Sequence, residues 1–104
     1  MTDYLFVYHG GAVPRTPEEG QKAMEAWGDW FGALGDALVI PGNAVGASRT
    51  VTSSGVTDDG GPNPASGFTV VKADSLEAAI EMAKGCPMVI DGSGSVEVAP
   101  IIEM

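Results

Sequence analysis

Tyr4-Leu5-Phe6-Val7-Tyr8 is apolar at every position and rich in aromatic side chains, the pattern of a central strand covered on both faces. His9 ends the run and Gly10-Gly11 break it. The period then changes. Thr16 can cap a helix, Pro17 suits its first position, and Glu19 completes a capping box. Met24, Trp27, Phe31 and Leu34 follow at three- and four-residue spacing as one apolar stripe, widened by Ala23 and Trp30. Gly20, Gly28 and Gly32 each cost about 1 kcal/mol of helix propensity, which suggests close packing against a neighbour or a helix that depends on tertiary contacts. Gly35 is its expected stop.

Ala37 to Ile40 reads as a short strand ending at Pro41-Gly42-Asn43. Arg49 to Ser53 alternates polar and apolar, as a strand with one wet face does. Gly55 to Ser66, with Asp58-Asp59-Gly60-Gly61-Pro62-Asn63-Pro64 inside it, reads as a surface loop. Phe68 to Ala73 is the next strand. A second helix follows, with Asp74 as its cap, Leu76, Ala79, Ile80 and Ala83 as its buried stripe, and Gly85 and Pro87 as its end. Met88 to Ser95 reads as a loop and Ser95 to Ile102 as the last strand. The order predicts a single domain over residues 1–104 of α+β class. Its plan is ferredoxin-like βαββαβ, an antiparallel sheet with two helices on one face. Such a sheet leaves its other face uncovered, and a second copy of the chain is the natural cover.

The charge balance of 5 basic against 14 acidic residues, a formal net of −9, excludes a nucleic-acid binder and an anionic membrane surface as first readings. In so acidic a chain each cation (Arg15, Lys22, Arg49, Lys72, Lys84) is a possible anion contact. Cys86 is the only cysteine, which rules out an intrachain disulfide and fits a reducing compartment. The first residues lack the basic and apolar stretches of a signal peptide or membrane span, so the expected location is cytoplasmic.

Several segments together resemble the YCII-related, or DGPF-domain, family. They are Tyr4-Leu5-Phe6-Val7, Trp27-Gly28-Asp29-Trp30-Phe31 with Leu34-Gly35, and Leu38-Val39-Ile40-Pro41-Gly42. Further on are Gly67 through Ala79, then Cys86-Pro87 and Gly94 through Ile101. The resemblance implies a dimeric α+β barrel, with two ferredoxin-like sheets packed face to face, and points to an enzyme in a family whose activities are largely unassigned. Two departures stand out. The Asp-Gly-Pro-Phe signature is present only as Asp59-Gly60-Gly61-Pro62, and the family's helix histidine has no counterpart. Chemistry attributed to that histidine therefore does not transfer.

His9, the single histidine, is the first candidate for acid/base catalysis, because imidazole changes charge near neutral pH; the alternative is a hydrogen-bonded His at a strand edge. Asp36 is a candidate to orient it across neighbouring strands; the alternative is a solvated turn residue. Arg49 is a candidate to hold a substrate carboxylate or phosphate, the alternative being a surface salt bridge. Trp27 and Trp30 are candidates for the wall of a pocket between sheet and helices, though the same spacing suits a core stripe. No metal or phosphate-loop pattern is present: Asp58-Asp59-Gly60-Gly61 does not match a calcium loop, and one His with one Cys cannot hold a transition metal alone. No cofactor is expected. The leading expectation is a cofactor-independent small-molecule enzyme, and the alternative is a non-catalytic dimeric ligand-binding or accessory domain.

Overall fold

Alternation sorts the first apolar run into two faces. In β1 (Thr2–Gly10), Tyr4, Phe6 and Tyr8 are buried, while Leu5, Val7 and His9 are half-buried on the opposite side. The computed structural model describes residues 1–103; Met104, the last residue of the expected domain, lies outside the described residues. The remaining elements are α1 (Pro17–Leu34), a 3-10 turn (Gly35–Ala37), β2 (Leu38–Ile40), β3 (Thr50–Thr52), β4 (Gly55–Thr57), β5 (Ala65–Ala73), α2 (Leu76–Ala83), α3 (Pro87–Ile90) and β6 (Gly94–Pro100). The main sheet has the order β2-β5-β1-β6, with every neighbouring pair antiparallel. This is the ferredoxin-like α+β arrangement, with β1 central as its composition predicts.

The core lies between the inward face of this sheet and the helices. Phe6, Val71, Thr69 and Cys86 are fully buried there. Trp30 stacks on Phe6 at 6.2 Å and donates its indole N–H to the Met82 carbonyl at 3.0 Å, tying α1 to α2 across the sheet. The α1 stripe is rotated from the expected one: Trp30 is buried, whereas Met24 is 77% exposed. Six residues separate the two, about 120° around a helix of 3.6 residues per turn, so both cannot face the sheet. Packing selects the bulkier Trp.

The helix punctuation is largely as expected. Thr16 Oγ1 accepts from Glu19 N at 3.1 Å, and Gly35 (φ 54) closes α1. On α2, Ser75 rather than Asp74 is the cap, its hydroxyl accepting from Ala78 N. Ala79 and Ala83 are buried, but Leu76 and Ile80 are each 39% exposed. Two regions read as loops contain structure. Gly55–Thr57 pairs with Thr50–Thr52 as a hairpin, because Ser53-Ser54 makes a two-residue turn that sets Val51 opposite Val56. Pro87–Ile90 forms a helical turn, with Pro87 at its first position.

The molecule is a slab measuring 43 × 43 × 19 Å, the thickness of one sheet and one helical layer. Its radius of gyration, 14.8 Å, exceeds the roughly 13 Å of a compact domain this long. The hairpin contributes to this, leaving Val51 and Val56 76% and 60% exposed. Among the described residues no helix is long and apolar enough to cross a membrane.

Candidate functional site

After Tyr8 the chain leaves the sheet. Gly10 and Gly11, both at positive φ, turn it into the segment that leads to α1. That segment, α1, the start of β5 and the Pro41–Ala44 stretch enclose a cavity of about 1040 Å³ between helix and sheet. Gly42 lets the stretch pass close to β5. Its φ is +73, and a Cβ there would lie 1.8 Å from the Phe68 carbonyl oxygen.

The walls are mainly apolar: Trp27 and Phe31 from α1, and Met88 from α3. Trp27 meets Tyr8 edge to face, with centroids 5.1 Å apart. Two hydroxyls lie among these rings. Tyr8 donates to Thr69 Oγ1 at 2.5 Å, and Thr69 donates in turn to the Pro41 carbonyl at 2.8 Å. Burial pushes the Tyr8 phenol far above its ordinary value of 10.0, against a smaller opposing effect of the Thr69 bond. The phenol therefore keeps its proton at neutral pH.

Four charged residues also line the cavity. Glu19 accepts from the Arg15 backbone N–H at 2.7 Å, and Asp91 accepts from the Ser93 N–H at 2.8 Å. The Ser93 hydroxyl and then this N–H hold the Asp91 carboxyl below the usual carboxylate range, although the hydroxyl itself is not aligned for a full hydrogen bond. Arg15 and Lys22 contribute side chains that form no ion pair among the described residues. Ser66 is the extra residue of a bulge in β5, opposite the step from Tyr8 to His9. Its hydroxyl is buried without a partner.

His9 lies outside this cavity, on the other face of the sheet. Its Nε2 is 2.9 Å from Glu97 Oε1, and its Nδ1 is 3.0 Å from the Asn63 carbonyl and 3.3 Å from that of Pro64. Both nitrogens face acceptors, so only the doubly protonated imidazolium satisfies both. The Glu97 hydrogen bond raises the His9 pKa above 6.5; burial opposes it, and the two carbonyls add to it. The ring is well covered, with 11% of the side chain exposed against 67% for Glu97.

His9 and the candidate Asp36 are not brought together. Asp36 sits exposed in the 3-10 turn after α1, and Glu97 supplies the carboxylate instead. The signal for Glu97 was the alternation of Val96 and Val98, which puts residue 97 on the outward face beside Val7. Arg49 is exposed at the start of the hairpin and does not line the cavity. Of the two tryptophans, Trp27 is a cavity wall and Trp30 is core. Tyr8, Thr69 and Ser66 were not singled out from sequence, because their meeting depends on strand register. Cys86 is buried, and burial pushes its thiol pKa up. Among the described residues, no group of three or more His, Cys, Asp or Glu side chains is placed to hold a metal ion.

No curated protein sequence matches the chain. Among solved structures it is similar to 5-chloro-2-hydroxyhydroquinone dehydrochlorinase (TftG) from Burkholderia phenoliruptrix, solved in complex with 2,5-dihydroxybenzoquinone. The TM-score is 0.56 at 15% identity, over 96% of this chain and 95% of that one, a likeness of fold. The YCII-related domain model matches residues 4–104, and the chain belongs to that family.

Proposed function

We propose that this protein is a small-molecule enzyme that works without a tightly bound cofactor, by acid/base chemistry in the cavity between α1 and the sheet. The observation that carries this reading is the cavity itself: apolar and aromatic walls around one ordered pair of hydroxyls, Tyr8 and Thr69. Tyr8 holds its proton through the neutral range and can turn its O–H from Thr69 toward a substrate oxygen. It would then stabilise negative charge as it develops there. Trp27 and Phe31 would fix a flat ring. The fold neighbour's name and its bound quinone support an enzyme acting on ring compounds. On this reading the roles first given to His9 and Asp36 pass to Tyr8, and that of Arg49 to cations nearer the cavity. The single buried thiol supports a cytoplasmic location, and the uncovered sheet face supports a homodimer.

A second reading, a ligand-binding domain without catalysis, is favoured by one observation. The only imidazole lies outside the cavity with both nitrogens engaged. One experiment separates the two. Hydroxylated aromatic and quinone compounds are titrated against tryptophan fluorescence, and those that bind are incubated with the protein and followed by mass spectrometry. An enzyme converts at least one of them, and Tyr8→Phe lowers its turnover tenfold or more while binding changes less than threefold. Compounds that saturate the signal and are recovered unchanged favour the binding domain.

A further inference from the structure

We infer that the ligand of this cavity is an anion: a flat, mainly apolar ring bearing one acidic group, whose charge is met by Arg15 and Lys22. The inference rests on the cavity being the ligand site and adds the ligand's charge and the residues that read it.

The chain carries only five Lys and Arg against fourteen acidic residues. With that excess a surface cation has many carboxylates available, and Lys84 pairs with Glu81 at 2.7 Å. The other four, Arg15, Lys22, Arg49 and Lys72, form no ion pair among the described residues, and two of these, Arg15 and Lys22, line one cavity. The two carboxylates beside them are engaged elsewhere. Glu19 accepts from the Arg15 backbone N–H in the first turn of α1, and Asp91 accepts from the Ser93 N–H. Neither carboxylate lies within ion-pair distance of the Arg15 or Lys22 side chain, so both cations are free to pair with a ligand.

A second, independent observation comes from Ser66. Its hydroxyl is buried at the cavity's edge without a hydrogen-bond partner, a state that is costly unless something supplies one. Rotation about its χ1 offers that O–H to an acceptor in the cavity. A hydroxyl donor and two cations are what an anionic oxygen group takes, and the Trp27 and Phe31 faces suit the ring that carries it. In a chain of net charge −9 the long-range field repels anions, so selectivity for one has to come from local pairing.

Two fluorescent probes test this. 8-Anilinonaphthalene-1-sulfonate and N-phenyl-1-naphthylamine share one aromatic framework and differ by the sulfonate. The expected result is that Arg15→Gln and Lys22→Gln each weaken sulfonate binding by about threefold, and together by about tenfold. The neutral probe changes less than twofold. Lys84→Gln removes the same charge at a residue that does not line the cavity and leaves both probes within 1.5-fold of wild type. Added salt weakens only the sulfonate. Ala26→Trp, which fills the cavity from α1, abolishes binding of both probes, and circular dichroism checks that each variant is folded.

If both probes bind the cavity and the Arg15 and Lys22 variants hold the sulfonate as tightly as wild type, the inference is overturned and the cavity reading stands. If Ala26→Trp leaves both probes bound, or wild type binds neither, the cavity reading itself fails and the inference goes with it.

Discussion

His9 makes more hydrogen bonds to acceptors than a neutral imidazole can supply protons for. Nε2 meets Glu97, and Nδ1 meets the Asn63 and Pro64 carbonyls. The ring is therefore cationic when both contacts are made, and its pKa is raised, first by Glu97. The sign of the linkage follows. Between the unfolded value near 6.5 and the higher folded value, the native state binds more protons, so stability falls as pH rises. The pair's contribution is complete below pH 6.5 and lost above the folded pKa. A proton NMR titration of this single imidazole should show the raised pKa, and Glu97→Gln should return it toward 6.5. A Glu97→Gln variant that titrates as wild type does would remove Glu97 as the cause. The candidate site was only partly legible at this scale. A lone histidine after a strand is visible in sequence, but its partner depends on register. Spacing alone cannot show whether Asp36 meets it; the pairing of β1 with β6 delivers Glu97. The cavity residues were harder still, because Tyr8 and Thr69 lie 61 positions apart and meet only through the pairing of β1 with β5.

Among the elements, α1 shows how local signals and packing divide the work. Its ends were legible because caps are local: Thr16 receives the Glu19 N–H, and Gly35 closes the last turn. Its buried face was not fully legible, since two overlapping stripes share Trp27 and Leu34, and only the sheet decides between Met24 and Trp30. Thr16→Ala should cost about 1 kcal/mol by removing the cap. In a domain this size that lowers the melting temperature by roughly 4–8 °C, readable by circular dichroism. An unchanged melting temperature would mean that α1 is held by packing alone. The stretch after β2 carries a larger penalty. Gly42 is at φ +73 with its missing Cβ on the Phe68 carbonyl oxygen, so Gly42→Ala combines a left-handed backbone with a clash. We expect a loss of more than about 2 kcal/mol in denaturant unfolding, together with loss of cavity ligand binding. A variant as stable as wild type would show that this stretch moves freely from β5. The hairpin β3–β4 was half legible: its first strand alternates visibly, but the Ser53-Ser54 turn carries none of the glycine or asparagine signals that announce a hairpin.

At the scale of the whole molecule, a two-layer slab has one sheet face that its own helices do not cover. On that face Leu5 lies opposite Val70 on one side and Ala99 on the other, and Val7 lies opposite Phe68. The row is apolar at its centre and charged at its margins, with Lys72 opposite Asp3 and Glu97 beside Val7. That is the composition of an interface core within a polar rim. A second copy presents the same row, so a two-fold axis through the sheet face matches apolar centre to apolar centre. Light scattering during size-exclusion chromatography should therefore give twice the chain mass at micromolar concentration. Leu5→Lys sets an ammonium at the centre of the row, close to its own copy across the axis, and should yield a monomer. Because Leu5 faces away from the helical core, that monomer should keep the wild-type circular dichroism spectrum. It should also bind cavity ligands as wild type does, since the cavity lies on the other side of the sheet. A wild-type chain that elutes as a monomer would rule out the face-to-face dimer. A Leu5→Lys dimer would place the contact elsewhere, with the exposed hairpin valines Val51 and Val56 the next surface to substitute.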